Sequence, residues 1–199
     1  MGARARRGDA RRDRIIAVAF QEFAANGYRG ASLARIAEGA GLTQAGLLHH
    51  FKGKADLLIE VLRERDERDG ARVGIDLEGV TPWRRVLDDL RALVEYNSRA
   101  PGLVQLFTVL NGEAVTDDHP AREWARERYR RLVDHADRSF KAGVEAGELR
   151  PDLDTLACAQ RLFAVMDGLQ QQWLLDLERV DMPHAFGQFL AEVERSITA

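Results

Sequence analysis

The sequence predicts an all-α protein of about nine helices, and three observations carry that prediction. Apolar residues recur at spacings of three and four along almost the whole chain. No segment shows the alternating, β-branched pattern of a strand. Glycine, proline and capping residues fall between the periodic segments. The 199 residues, 45% hydrophobic and 31% charged, suffice for a sizeable core and are too apolar for a disordered chain.

Taken in order, residues 1–10 read as a disordered basic arm carrying Arg4, Arg6 and Arg7. From Arg11, the spacing of Ile16, Ala19, Phe20 and Phe23 predicts a first helix, stopped at Asn26-Gly27 by a left-handed residue. Ser32 caps a second, short helix through Leu33, Ile36, Ala37 and Ala40, which Gly41 ends. Thr43 caps a third, Gln44 to His50, burying Leu47. Lys52-Gly53 breaks it, and a fourth helix over 54–69 follows with Leu57, Leu58, Val61 and Leu62 inward. Gly70, Gly74, Gly79 and Pro82 mark the main linker.

Beyond it, Pro82 sits at the first position of a helix running to about Ser98. Pro101-Gly102 punctuates before an apolar helix through Leu103 to Leu110. A long helix from Pro120 to Ala146 ends at Gly147, and Asp154 introduces another to about Glu178. The last begins near Pro183, with Phe186, Phe189, Leu190, Val193 and Ile197 on one face.

The net charge of -3 conceals an asymmetry. Residues 1–54 hold ten Lys/Arg against four Asp/Glu, a net of +6, while residues 55–199 hold 19 against 28, a net of -9. A basic end on an acidic body points to a polyanion-facing head. No run approaches the roughly 18 apolar residues of a membrane span. The Arg-rich start lacks the apolar region of a secretory signal. The one cysteine, Cys158, can form neither an internal disulfide nor a zinc cluster, so a cytoplasmic setting is expected.

The chemistry lies in SLARIAEGAGLTQAGLLHHF, residues 32–51. A helix, a tight glycine turn and a second helix give helix-turn-helix spacing. Ala37, Ala40 and Gly41 allow close crossing, and the second helix begins with the short or polar residues that a major groove admits. Gln44 suits adenine, the Ala45 methyl suits thymine, and Gly46 permits close backbone approach. Ser32 and Thr43 can donate to phosphates, as can His49 and Lys54. His49 and His50 point about 100° apart and do not form a metal pair. The chain contains no GxSxG, HExxH, GxxxxGK[ST] or GxGxxG, so no catalytic residue, metal, cofactor or enzymatic activity is expected.

From Arg11 to Leu62 the chain resembles the DNA-binding domain of the tetracycline-repressor (TetR) family. The pieces are the first-helix element ending in Gly27-Tyr28, then Ser32, Ile36-Ala37, Gly41-Leu42-Thr43, His49 to Phe51, Lys54 and Leu57-Leu58. Leu48 stands where the family usually has a phosphate-reaching Tyr.

The resemblance implies a helix-turn-helix DNA-binding head over 11–54 and a ligand-binding and dimerisation body over 55–199. It also implies a homodimer whose partners are a double-stranded DNA operator and an unknown small-molecule effector, with no membrane. The DNA-facing set is then Ser32, Thr43, Gln44, Ala45, Gly46, Leu48, His49 and Lys54. The expected pocket lining is Tyr96, Asn97, Phe107, Asn111, Trp124, Arg128, Phe163 and Asp167. The expected dimer interface is Leu162, Met166, Leu169, Trp173, Phe186, Phe189, Leu190 and Val193. The function implied is that of a repressor released from a near-palindromic operator by a small molecule. The alternative, motivated by Leu48, is a helical ligand-binding protein with weakened or lost specific DNA binding.

Overall fold

The structure is a computed structural model that describes residues 3–73, 77 and 79–199. Among the described residues it holds nine helices and no strand. They are α1 (Ala3–Gly30), α2 (Leu33–Gly39), α3 (Gln44–Leu48), α4 (Lys54–Val73), α5 (Trp83–Asn97), α6 (Pro101–Ala114), α7 (Arg122–Glu145), α8 (Thr155–Leu175) and α9 (Met182–Ile197). The chain divides into two compact units: Met1–Arg68 with Gln105–Ala125, and Asp69–Val104 with Arg126–Ala199.

The first unit is built on one apolar core. Ile15, Ala19 and Phe23 of α1 meet Ile36 and Ala37 of α2, Leu47 of α3 and Leu57, Leu58 and Leu62 of α4. Leu106 and Leu110 of α6 complete it. Each Ile, Leu or Phe among them contributes about 1.5–3 kcal/mol by burial. The sequence boundary at Lys54 thus falls inside this unit, because the apolar face of α4 is buried here. Gly39 lies so close to α1 that an added Cβ would stand 2.8 Å from Val18 Cγ1.

Several element boundaries differ from the sequence reading: α3 ends at Leu48 rather than His50, α7 begins at Arg122 rather than Pro120, and α8 ends at Leu175 rather than near Glu178. The arm expected to be disordered is helical from Ala3, since Ala and Arg are strong helix formers and only Gly8 interrupts them. The side chains of Arg4, Arg6 and Arg7 lie outside the described residues. Gly27 stops the regular part of α1, but at φ 64, ψ -177 rather than in the left-handed helical well. That extended positive-φ region is open essentially to glycine alone. α4 runs through Gly70 to Val73, four residues into the expected linker. One glycine costs a helix only about 1 kcal/mol. Pro82 is the N-cap of α5, with ψ 134, not its first helical residue.

In the second unit α9 packs against both α5 and α8. Trp83, Phe140, Leu162, Phe186 and Leu190 are buried at its centre. Asp154 caps α8 by accepting from Ala157 N at 3.0 Å, and Asp181 caps α9 by accepting from His184 N at 3.0 Å. The C-terminus is tied back, with Arg150 N donating to Ile197 O and Ala199 N to Glu148 O.

Burial changes the expected interface set. Leu162, Met166, Trp173, Phe186 and Leu190 are buried in this chain's own core, whereas Leu169, Phe189 and Val193 are only half-buried. A helix apolar around most of its circumference spends one side on its own subunit first.

Candidate nucleic-acid interface

Two caps and one turn define the helix-turn-helix. Ser32 Oγ accepts from Arg35 N at 3.4 Å and starts α2. Gly41, at φ 72, makes the turn that a side chain would strain. Thr43 Oγ1 accepts from Gly46 N at 3.1 Å and starts α3. An added Cβ at Gly46 would lie 3.3 Å from that Oγ1, so this glycine serves the cap. Leu47 and Phe51 anchor α3 in the core, at 0% and 2% exposure. The other face is turned to solvent: Thr43, Gln44, Ala45, Leu48 and His49 are all exposed, Leu48 at 43%. This face offers an amide, a hydroxyl, an imidazole and two apolar side chains, the chemistry of groove reading.

Lys54 does not join that face. Its Nζ donates to the carbonyls of Arg29 (3.2 Å) and Ala31 (2.9 Å) and lies 4.8 Å from the centre of the Tyr28 ring. Its charge holds the loop that leads into α2. Glu22 holds the same loop from α1, accepting from Ser32 N (2.9 Å) and from Arg35 Nε (2.9 Å). The hydrogen bond from Arg35 brings the Glu22 carboxyl below its ordinary pKa, against burial, with help from the Ser32 N–H.

Other head cations are similarly engaged. Arg12 pairs with Glu60 and stacks over Phe51, and Arg29 meets Asp118 at 3.1 Å. Arg11, Arg14 and Lys52 are exposed, and among the described residues their side chains make no ion pair. Among the described residues of the head, these three, absent from the sequence-derived set, are exposed cations outside any ion pair. Arg11 and Arg14 were legible as a basic i, i+3 pair on the first helix, flanking the buried stripe that begins at Ile15.

The second unit contains a cavity of about 40 Å³, room for a few waters only. Its wall is apolar (Val86, Leu90, Leu93, Leu132, Phe163, Met166) with Asp89, Arg128 and His135 as polar members. Burial raises the Asp89 pKa, against its 2.8 Å pair with Arg85. Beside Met166 in sequence, Asp167 accepts the Tyr129 hydroxyl at 2.5 Å. Burial raises both groups above their ordinary pKa values.

Of the eight residues expected to line a pocket, Arg128 and Phe163 do so. Phe107, Asn111 and Trp124 belong to the first unit, where Phe107 lies against Trp124 (centroids 5.9 Å apart) and under Arg65. Asn97 is buried and Tyr96 half-buried near the end of α5, outside this lining. Asp89 and His135 were missed, although each is a polar residue interrupting an apolar stripe. Burial raises the Cys158 thiol, as expected of an inert core residue. Among the described residues, no group of three His, Cys, Asp or Glu is placed to hold a metal ion.

A helix-turn-helix with a capped, solvent-facing second helix, followed by a helical body containing a pocket, defines a DNA-binding transcriptional regulator. The family described as "Bacterial regulatory proteins, tetR family" matches residues 15–61, and "BetI-type transcriptional repressor, C-terminal" matches residues 82–197. The chain belongs to the tetR family of transcriptional regulators. It is 25% identical over 170 residues to the fatty acid metabolism regulator protein of Bacillus subtilis, spanning 84% of this chain and 86% of that one. The fold is shared with B. subtilis FadR in complex with stearoyl-CoA, at TM-score 0.77 and 20% identity, over 92% and 98% of the two chains. A transcriptional regulator from Saccharomonospora viridis in complex with choline aligns at TM-score 0.75 and 25% identity, over 94% and 97%. Among the described residues no helix is long and apolar enough to cross a membrane.

Proposed function

We propose that this protein is a homodimeric repressor that binds a near-palindromic operator and is released by a small molecule. The observation that carries the proposal is the exposed row Thr43, Gln44, Ala45, Leu48 and His49 on a helix whose opposite side is fixed in a buried apolar core. Two such helices related by a two-fold axis read half-sites one helical turn, about 34–36 Å, apart. Arg11, Arg14 and Lys52 supply backbone contacts, and the half-buried Leu169, Phe189 and Val193 are offered to the partner subunit.

The effector site we assign is the cavity of the second unit. Relatives carry ligands as different as stearoyl-CoA and choline, so the lining is the better guide. Its apolar wall with Asp89, Arg128 and His135 suits a mainly apolar molecule bearing one polar group. At about 40 Å³ the cavity must widen to admit it, and that widening is the conformational change that lowers DNA affinity. The protein works in the cytoplasm, where its operator is. The experiment is a base-by-base binding profile of wild type and Gln44→Ala. Loss of discrimination confined to one base pair per half-site supports the assignment, whereas an unchanged profile removes Gln44 from the reading face.

A further inference from the structure

The loop that leads into the helix-turn-helix is held by three charged side chains. Two are local, Glu22 on Ser32 N and Lys54 on the carbonyls of Arg29 and Ala31. The third comes from α6: Glu113 Oε2 accepts from Tyr28 N at 2.7 Å, across 85 residues of sequence. This carboxylate reaches the backbone because residue 27 has no side chain. An ideal Cβ on Gly27 would lie 2.9 Å from Glu113 Cδ and closer still to Oε1. Behind it, His119 is buried and turned edge-on to the Tyr28 ring, centroids 5.2 Å apart. His119 Nδ1 accepts from Ala121 N at 3.2 Å, and its Nε2 lies 3.5 Å from Glu113 Oε2. Arg29 and Asp118 join the loop to the same corner at the surface.

We propose that Glu113 is a positioning residue for DNA reading: its carboxylate fixes the lead-in to α2 and α3, and its withdrawal lowers operator affinity without any contact to DNA. The inference rests on the DNA-reading assignment above and adds its regulation. Residues 105–125, the end of α6 and the start of α7, pack with the reading head as one compact unit. A displacement of the end of α6 that withdraws Glu113 is therefore felt at Tyr28 N as loss of its acceptor. With the loop released, only a fraction of molecules holds α3 in the competent pose, and apparent affinity falls by that fraction.

The test uses the full-length protein and the duplex that wild type selects most strongly from a random pool. Anisotropy titrations over a range of salt concentrations compare wild type with Glu113→Ala and Glu113→Gln. The Ala variant is expected to bind about 10-fold more weakly, with an unchanged salt slope, because no phosphate contact is lost. The Gln variant keeps an acceptor and is expected to stay within about 3-fold of wild type. Should Glu113→Ala fail to fold, Glu113→Asp, one methylene too short, carries the same comparison. Equal affinity of wild type and Glu113→Ala overturns the inference, as does a Gln variant as weak as Ala, or a loss accompanied by a lower slope. If wild type selects no sequence at all, the DNA-reading assignment itself fails, a result distinct from these.

Discussion

Lys54→Ala and Lys52→Ala, two positions apart, are expected to fail in different ways. Lys54 Nζ is committed to two backbone carbonyls and the Tyr28 ring. Two charge-assisted hydrogen bonds at a half-exposed site are worth about 1 kcal/mol each, and the ring adds about 0.5–1 kcal/mol. The Ala variant therefore loses about 2.5–3 kcal/mol, a fall in Tm of roughly 5–12 °C for a chain of this size. Its salt slope stays near that of wild type. Lys52 is exposed and unpaired among the described residues, so its removal costs under about 0.5 kcal/mol of stability. If it touches a phosphate, log K against log salt becomes shallower by about 0.9 per subunit, or about 1.8 for a dimer on two half-sites. Thermal melts and anisotropy titrations at several salt concentrations read both quantities. A Lys54→Ala protein with wild-type Tm and a shallower slope would refute the inward role of Lys54.

Gly27→Ala forces a side chain into a glycine-only conformation, about 1–3 kcal/mol, and displaces the Glu113 carboxylate. Urea unfolding of Gly27→Ala, Glu113→Ala and the double variant is expected to be sub-additive by about 1.5–3 kcal/mol, and full additivity would contradict the contact. Glu22 has a lowered pKa in the folded state, so the stability it supplies is present above its unfolded pKa and lost as pH falls through the folded value. The Tm gap between wild type and Glu22→Gln is accordingly expected to shrink as pH drops from about 7 to about 3, and a constant gap would exclude that linkage. Leu48→Tyr places a hydroxyl donor on the exposed reading face. Tighter operator binding with an unchanged salt slope is expected, because a neutral hydroxyl releases no counterion, and unchanged binding would mean that residue 48 does not reach the backbone.

The reading head was largely legible because its determinants are local. The caps Ser32 and Thr43 and the stop at Gly27 act within three or four residues. The stripe Ile16, Ala19 and Phe23 fixes which face is buried. What escaped was set by partners far away in sequence. Periodicity marks the apolar face of α8 but not whether its own subunit or a second copy covers it, so five of eight interface candidates went to the internal core. Lys54 looked like a phosphate contact until Arg29 and Ala31 supplied its carbonyl partners. Phe107 and Trp124 read as pocket walls because sequence order puts them in the body, whereas packing joins them to the head. Asp89 is buried among Val86, Leu90 and Phe163, and only the assembled cavity gives that polar residue a meaning.

The most direct measurement is selection of DNA from a random pool by the full-length protein, followed by affinity ratios between the selected duplex and scrambled DNA at fixed salt. An inverted repeat with half-site centres about 10–10.5 base pairs apart (or a multiple), bound at least about 1,000-fold more tightly than scrambled DNA, is predicted. Weak binding that is equal for all sequences would contradict the assignment of the Thr43–His49 face as a reader of sequence.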